Sequence, residues 1–137
     1  MGLGDIWQTG DSFIVKHGYA KSGIAITKGD VVKREASSVY FDVADEGDEM
    51  PMAVALDSVG AKDTDRKFRM LIEGTVEVTA VSGFPIYFMD ELISAANGGV
   101  RKVADMSNHW DELVGFAINH KSQPLTSSGI VPIKLAE

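Results

Sequence analysis

The sequence predicts an all-β protein: a small β-barrel or sandwich-like domain with an extended N-terminal arm and one short helical turn. The main observation is the 68–80 segment, FRMLIEGTVEVTA, where apolar and polar residues alternate on both sides of Gly74. A period of two places successive side chains on opposite faces of a sheet, and a glycine inside the run predicts a bulge or bend. The chain also has 14 glycines, as many short turns require. No comparable stretch has the period of a helix.

The composition limits the number of domains and excludes several kinds of partner. A chain of 137 residues with 45% hydrophobic residues can bury about two-thirds of its unfolded surface as one domain, predicted over residues 13–137. The absence of cysteine excludes disulfides and cysteine-ligated metal sites. The net charge of −7 argues against nucleic acid, which requires clustered basic residues. No long apolar run predicts a membrane segment, and the N-terminus lacks a signal-peptide pattern.

The predicted strands follow one another after a glycine-rich, aperiodic arm over residues 1–12. They are expected at 13–19, 23–27, 31–32, 39–43, 52–56, 68–80, 86–88, 92–95, 100–104, 113–119 and 130–135. The 97–99 triplet, Asn-Gly-Gly, predicts a hairpin, because both residue types tolerate the positive φ of tight turns. One helical turn is expected over 106–113, with Ser107 or Asn108 as its N-cap and two acidic residues in its first turn.

The two halves of the chain resemble each other at a nearly constant offset. Asp30 matches Asp90, the 52–57 segment MAVALD matches the 114–119 segment VGFAIN, and alternating residues of 68–72 match those of 131–135, at offsets of 60, 62 and 63 residues. Two readings remain open. The chain contains a duplicated β-unit, or it shows the self-similarity that any all-β chain with regular turns has.

None of the titratable residues forms a recognisable catalytic or metal-binding motif. His17, His109 and His120 lie far apart and outside any H-x-x-x-H pattern. The acidic 42–49 segment lacks the spacing of a twelve-residue calcium loop, so a solvated turn is expected there. The 63–69 segment, DTDRKFR, has two aspartates that its three basic residues are expected to neutralise. We therefore predict no catalytic residue, no metal site and no cofactor.

Several motifs occur in an order that resembles a known family. They are GDVV at 29–32, AVAL at 53–56, IEGTV at 72–76, DEL at 90–92, NGG at 97–99, GFAI at 115–118 and VPIKL at 131–135. In this order they resemble the small capsid cement, or head-decoration, proteins of tailed phages, over about residues 28–135. The sequence departs from the family pattern at Met89, where the second turn more often has glycine, and in the acidic segment before Pro51.

The resemblance implies a β-barrel-like subunit that is usually trimeric and lies on the outside of a capsid. The implied partners are the major capsid protein and sister copies of the chain, and the implied location is the virion. The implied role is structural: each trimer bridges several coat subunits, and the linked contacts combine into high avidity.

Five apolar residues are the predicted contacts with the capsid or with a sister subunit: Leu3, Ile6, Trp7, Trp110 and Leu125. Ordering a twelve-residue arm costs on the order of 12–24 kcal/mol, and burying Ile6 and Trp7 offsets about 5 kcal/mol. The arm is therefore expected to be mobile until a neighbouring chain pairs with it as an added strand. A frayed terminus is the alternative. For Trp110 the alternatives are an interface anchor and a plug at one end of the barrel.

Two other functional classes remain as alternatives. A carbohydrate- or receptor-binding β-module of a phage tail or cell surface would need clustered exposed aromatic side chains. A small barrel enzyme would need histidines or carboxylates that converge in a pocket. The sequence shows scattered aromatics and no convergent group, so a non-enzymatic capsid-binding protein is the preferred prediction.

Overall fold

The computed structural model describes residues 2–7, 13–36, 38–49 and 52–136. Over these ranges the regular structure consists of β-strands and two short 3₁₀ turns, which confirms the all-β prediction. The strands are β1 (Ile6–Trp7), β2 (Ile14–Ala20), β3 (Val31–Arg34), β4 (Tyr40–Val43), β5 (Met52–Ala55), β6 (Lys67–Glu73), β7 (Thr75–Ser82), β8 (Glu91–Ser94), β9 (Val100–Arg101), β10 (Leu113–Ala117) and β11 (Gly129–Leu135). The 3₁₀ turns are Ala96–Gly98 and Trp110–Glu112.

The strands close into two barrels that follow one another in the sequence. The first barrel has the strand order β2-β4-β3-β5-β6. The second has the order β7-β11-β10-β8-β9 and closes through the pairing of β7 with β9. Strand β1 pairs with the beginning of β7, along the edge that β9 occupies further on. Gly74 alone separates β6 from β7, so the predicted long strand bends there from one barrel into the other.

Both barrels have the same strand connectivity. In each barrel the first strand pairs parallel with the third and antiparallel with the fifth. The second strand pairs antiparallel with the third and the fourth, and the fourth pairs antiparallel with the fifth. The predicted internal repeat therefore corresponds to one five-stranded barrel.

The repeat extends to individual hydrogen bonds. The amide of Ala55 donates to the carbonyl of Asp30, and the amide of Ala117 donates to that of Asp90, both at 2.9 Å. Each aspartate carboxylate also accepts the backbone N–H three residues before it, at 2.9 Å for Asp30 and 2.7 Å for Asp90. These pairs have the offsets of 60 and 62 residues that the sequence suggested. Of the two readings of the internal similarity, the structure supports duplication.

The apolar residues form two layers of core. The interior of the first barrel is a cluster that includes the fully buried Phe68 and Val32. Val31, Val54 and Leu71 point outward from the same strands, yet all three are 0% exposed, because they belong to the cluster that contains the interior of the second barrel. Burying a side chain of this size contributes about 1.5–3 kcal/mol, so this outward row stabilises the contact between the barrels.

Some predicted elements are shorter than expected. At 86–88 the predicted strand is wrong: only Ile86 forms a bridge, to Leu125, and a turn follows because the chain must bend before Asp90. Likewise, only Ile26 of the 23–27 segment forms a bridge. Strand β9 ends at Arg101, three residues before the predicted end at residue 104.

The predicted turns are confirmed, but the predicted helix cap is wrong. Asn97 and Gly98 have φ angles of 56° and 75° and connect β8 to β9 as a hairpin. The second 3₁₀ turn has two acidic residues in its first turn, as expected, but its N-cap is His109 and no side chain caps it. Ser107 instead donates its hydroxyl to Asp105, at 2.6 Å, before the turn begins.

The described part of the predicted arm is attached to the chain's own body. The backbone of β1 pairs with Val76 and Thr75, and the amide of Gly4 donates to the carbonyl of Glu77, at 2.8 Å. Mobility until a partner binds is therefore a wrong expectation for residues 2–7, because the second barrel supplies the strand that the energy estimate assigned to a neighbour. Residues 8–12 of the arm lie outside the described residues. The boundary at residue 13 and the single domain over 13–137 stay predictions.

Candidate interaction surfaces

The histidines lie on separate elements and contact local partners. His109 Nδ1 lies 3.0 Å from Glu112 Oε2 within the second 3₁₀ turn. His120 Nδ1 lies 2.6 Å from Ser122 Oγ in the loop after β10, and His17 pairs with Arg69 across β2 and β6. Among the described residues no group of three or more His, Asp and Glu side chains is placed to hold a metal ion.

In the same ranges, no helix has the length and apolar character needed to cross a bilayer.

The acidic 42–49 segment forms a turn whose carboxylates have protein partners. Asp48 accepts the amide of Asp45 at 2.7 Å and the ammonium of Lys33 at 3.1 Å, and this contact raises the pKa of Lys33. Glu46 forms an ion pair with Arg101 of the second barrel at 3.2 Å. The segment therefore contributes to the contact between the barrels as well as facing solvent.

The basic residues of the 63–69 segment do not neutralise its aspartates, so that prediction is wrong. Arg66 turns inward and is 9% exposed. Its guanidinium donates to backbone carbonyls of two loops, those of Ala20, Lys21, Ile24, Gly60 and Thr64. Asp65 instead accepts the hydroxyl of Tyr40 at 3.0 Å, and this hydrogen bond raises the pKa of the phenol.

Arg69 contacts an aspartate outside its own segment. Its guanidinium reaches both carboxylate oxygens of Asp57, with the shortest distance 2.8 Å, and its amide donates to the same carboxylate at 2.9 Å. These hydrogen bonds lower the pKa of Asp57. Asp30 behaves in the opposite way, because burial of its carboxylate raises its pKa.

The five predicted contact residues lie in different parts of the fold. Leu3 packs against Gly29 in the turn before β3, and Ile6 packs against the shared apolar cluster. Trp7 pairs its backbone with Thr75. Trp110 is 50% exposed beside β8, and Leu125 pairs with Ile86 and is half-buried. The structure therefore brings Leu3 and Ile6 onto the barrels and leaves Trp110 as the exposed anchor among the five. Their role as contacts stays a prediction.

A surface that sequence reasoning missed lies at the turn before β8. Tyr87, Phe88 and Met89 are consecutive and 50%, 48% and 54% exposed. Met89 has a φ of 72°, in the left-handed region that disfavours side chains with a Cβ. The sequence carried a signal for it, because an apolar triplet occurs where the family pattern has a glycine.

The equivalent turn of the first barrel is covered by the chain itself. Gly29, the counterpart of Met89, has a φ of 94°. Leu3 packs on it so closely that a Cβ at this position would lie 2.1 Å from Leu3 Cγ. Lys28, beside it, forms an ion pair with Asp5 at 2.9 Å. The two related turns therefore differ in that the first is covered by residues 2–7 and the second is open and apolar.

Two shallow grooves flank the open turn. One has a volume of about 400 Å³ and is lined by Met89, Phe116 and the end of β11. The other is lined by Phe88, Ile118 and the loop after β10. Together they make an apolar surface on the outside of the second barrel. We call it the 88–118 surface and define it by Phe88, Met89, Phe116 and Ile118.

No family model and no curated protein sequence matches the chain. Among solved structures, the fold is similar to that of the head fiber gp8.5 N base in bacteriophage phi29, with a TM-score of 0.60. The similarity covers 91% of this chain and 95% of that chain, at 16% sequence identity. This shows the fold. At this level of identity it says nothing about activity.

Proposed function

We propose that the chain is a non-enzymatic structural protein of a phage virion. In this proposal it binds the outer surface of an icosahedral capsid as a trimer and stabilises the shell by bridging major capsid protein subunits. The observation that supports it most strongly is the fold similarity, over 91% of the chain, to the base of a fiber on a phage head. The cement-protein motifs of the sequence point to the same class of protein by a separate route.

The surface chemistry is consistent with binding through shape and apolar contacts. The described titratable side chains pair locally, as His109 does with Glu112, and do not converge in a cleft. Exposed aromatic side chains are instead found on turns, with Trp110 on one and the Tyr87–Met89 triplet on another. Tryptophan and tyrosine are enriched among the residues that dominate binding energy at protein interfaces.

The bridging mechanism requires only weak individual contacts. Each copy would present Trp110 and Leu125 to a coat subunit, and a trimer would engage several subunits at once. Once one contact has formed, the others form within a single complex, so modest affinities combine into strong attachment. Detachment then requires several contacts to break together.

Binding to shells tests the proposal directly. The purified chain is mixed with empty shells of the phage's major capsid protein and sedimented, and the thermal dissociation of the shells is followed with and without it. We expect saturable co-sedimentation and a higher dissociation temperature. Absence of binding at micromolar concentrations, with the chain folded, would refute the proposed function.

Replacing Trp110 with alanine separates the two readings of this residue. An interface anchor would lose shell binding at an unchanged melting temperature, whereas a barrel plug would lose several degrees of stability. The 50% exposure of the ring favours the first outcome. A matched control is Ile130→Ala, since Ile130 is 47% exposed on β11.

A second candidate function is carbohydrate or receptor binding. An open groove of about 350 Å³ lies at one end of the first barrel, lined by Tyr40, Asp63, Asp65 and hydroxyl side chains. An exposed aromatic ring beside carboxylates and hydroxyls is able to stack on a sugar and hydrogen-bond to it. Binding on a glycan array that is lost in Tyr40→Ala would support this alternative.

A further inference from the structure

We propose that copies of this chain associate head to tail, with the 88–118 surface of one copy covered by the β3–β4 hairpin of the next. The hairpin contributes Val39 and Tyr40. The inference rests on the self-association in the proposed function and adds to it the two surfaces that meet. It is argued from the contact that the chain already makes between its own two barrels.

The first support is a pair of equivalent rows of residues. In the first barrel Val31, Val54 and Leu71 are cross-strand neighbours on the outer face of β3, β5 and β6. All three are fully buried against the second barrel. The same positions of the second barrel are Glu91, Phe116 and Lys134, which are cross-strand neighbours on β8, β10 and β11.

The second row is not covered in the same way. Glu91 and Phe116 are half-buried and Lys134 is exposed. One residue further along, Leu56 is 5% exposed in the first barrel, whereas its counterpart Ile118 is half-buried beside an open groove. A face that is closed by a barrel in one repeat is therefore open in the other.

The second support comes from what closes the first face. The hairpin between β8 and β9 lies against the first barrel, where the amide of Gly98 donates to the carbonyl of Ala44, at 2.8 Å. Ser94 Oγ donates to the carbonyl of Asp48, also at 2.8 Å. Gly98 packs so tightly that a Cβ would lie 3.0 Å from the side chain of Asp30. The β8–β9 hairpin of one barrel is thus the element that binds beside the turn of the other.

The equivalent hairpin of the first barrel has no barrel against it in the chain. It joins β3 to β4, and its residues Val39 and Tyr40 are 57% and 38% exposed. The register identifies the match, because Tyr40 pairs with Tyr19 as Val100 pairs with Ala80. The chain therefore presents one open hairpin and one open face of the two kinds that already fit together inside it.

The third support is the conformation of Met89. Its φ of 72° is unfavourable for a residue with a Cβ, and the counterpart Gly29 avoids that cost. Its side chain is 54% exposed, so little burial within the chain offsets the strain. Strained residues of this kind persist at binding surfaces, where a contact uses them.

The polar ends of the open row indicate an interface between separate chains. Glu91 and Lys134 take the places of Val31 and Leu71 and flank Phe116. An apolar centre with a polar rim is typical of interfaces between chains that are also soluble apart. Because the hairpin and the face are different surfaces, the contact is heterologous, and repetition of it closes a ring at the proper rotation.

The test uses two variants that each damage one side of the contact. Met89→Asp places a charge on the 88–118 surface, and Val39→Asp places one on the hairpin. Ile14→Asp is the matched control, since Ile14 is 41% exposed at the far end of β2 from the hairpin. Molar mass is measured by sedimentation velocity over a range of concentrations, with circular dichroism to verify folding. Phe88→Ser replaces Met89→Asp if the latter does not fold.

We expect the wild-type chain and Ile14→Asp to form the same oligomer, and each of the other two variants to associate about 100-fold more weakly. An equimolar mixture of Met89→Asp and Val39→Asp is expected to form dimers, because one intact hairpin and one intact 88–118 surface remain to meet. A symmetric contact would not give this result. A monomeric wild-type chain at high concentration, or an unchanged oligomer in both variants, would overturn the proposal.

Shell binding, measured separately on the same samples, distinguishes this inference from the proposed function. If the wild-type chain oligomerises through these surfaces but does not bind shells, the inference stands and the capsid role fails. If it binds shells while every variant has the wild-type mass, the capsid role stands and the inference fails.

Discussion

Replacing Arg66 with alanine is expected to cost about 3–5 kcal/mol of unfolding free energy. Of the five carbonyl contacts of its guanidinium, the one to Ala20 is buried and the others are partly buried. A buried hydrogen bond from a charged donor contributes about 1.5–3 kcal/mol, and each partly buried one contributes about 0.5 kcal/mol because water replaces it in part. For a chain of this length the loss corresponds to a melting temperature lower by about 10–20 °C.

The assay is urea denaturation followed by far-UV circular dichroism, with the slope m compared to verify that the unfolding transition is unchanged. Arg69→Ala is the matched control, since Arg69 lies three residues away but forms an exposed ion pair with Asp57. An exposed pair of this kind contributes less than about 1 kcal/mol. Arg66→Lys keeps the charge but cannot reach both loops, so an intermediate loss is expected. Equal losses for Arg66→Ala and Arg69→Ala would refute the reasoning.

Three further predictions concern the covered turn and two carboxylates. Gly29→Ala is expected to destabilise the chain by about 2–3 kcal/mol and to release Leu3, which limited proteolysis of residues 2–7 would detect. Gly47→Ala, with a similar φ of 87° but nothing within 4 Å, should show only the backbone cost of about 1–2 kcal/mol. Asp57→Asn should lose stability relative to wild type only above the usual pKa of 3.8, since the lowered folded pKa gives a contribution that disappears as pH falls through it. Asp30→Asn should gain stability relative to wild type as pH rises above 3.8 through the raised folded pKa. Urea titrations at several pH values test both signs, and parallel pH profiles for wild type and either variant would contradict them.

The strands and the repeat were predictable because their signals are local. Alternation at 68–80 and the 97–99 hairpin depend only on neighbouring residues, and the offset of 60–63 residues follows from comparing the chain with itself. The pairing partners were not predictable. Nothing near β1 or β9 in the sequence shows that both pair with β7, because that contact depends on how the barrels close.

The burial of single side chains was the other source of error. Arg66 occurs among charged residues, which predicts exposure, yet it turns inward to loops 42 and 46 residues earlier in sequence. Met89 was visible as a departure from a glycine position, but its exposure depends on Leu3 covering only the first of the two related turns. Both features arise from contacts between distant segments, which no local pattern encodes.

Neighbouring units of the same topology are able to exchange equivalent strands, either within a chain or between two chains, and such domain swapping needs a hinge that can extend. Here the hinge is Gly74 alone, with a φ of 127° and with Phe13 so close that a Cβ would lie 2.8 Å from its Cβ. So short a linker cannot reach across a second molecule. The sixth and seventh strands therefore remain in their own barrels, and the two halves keep a fixed mutual orientation without a disulfide.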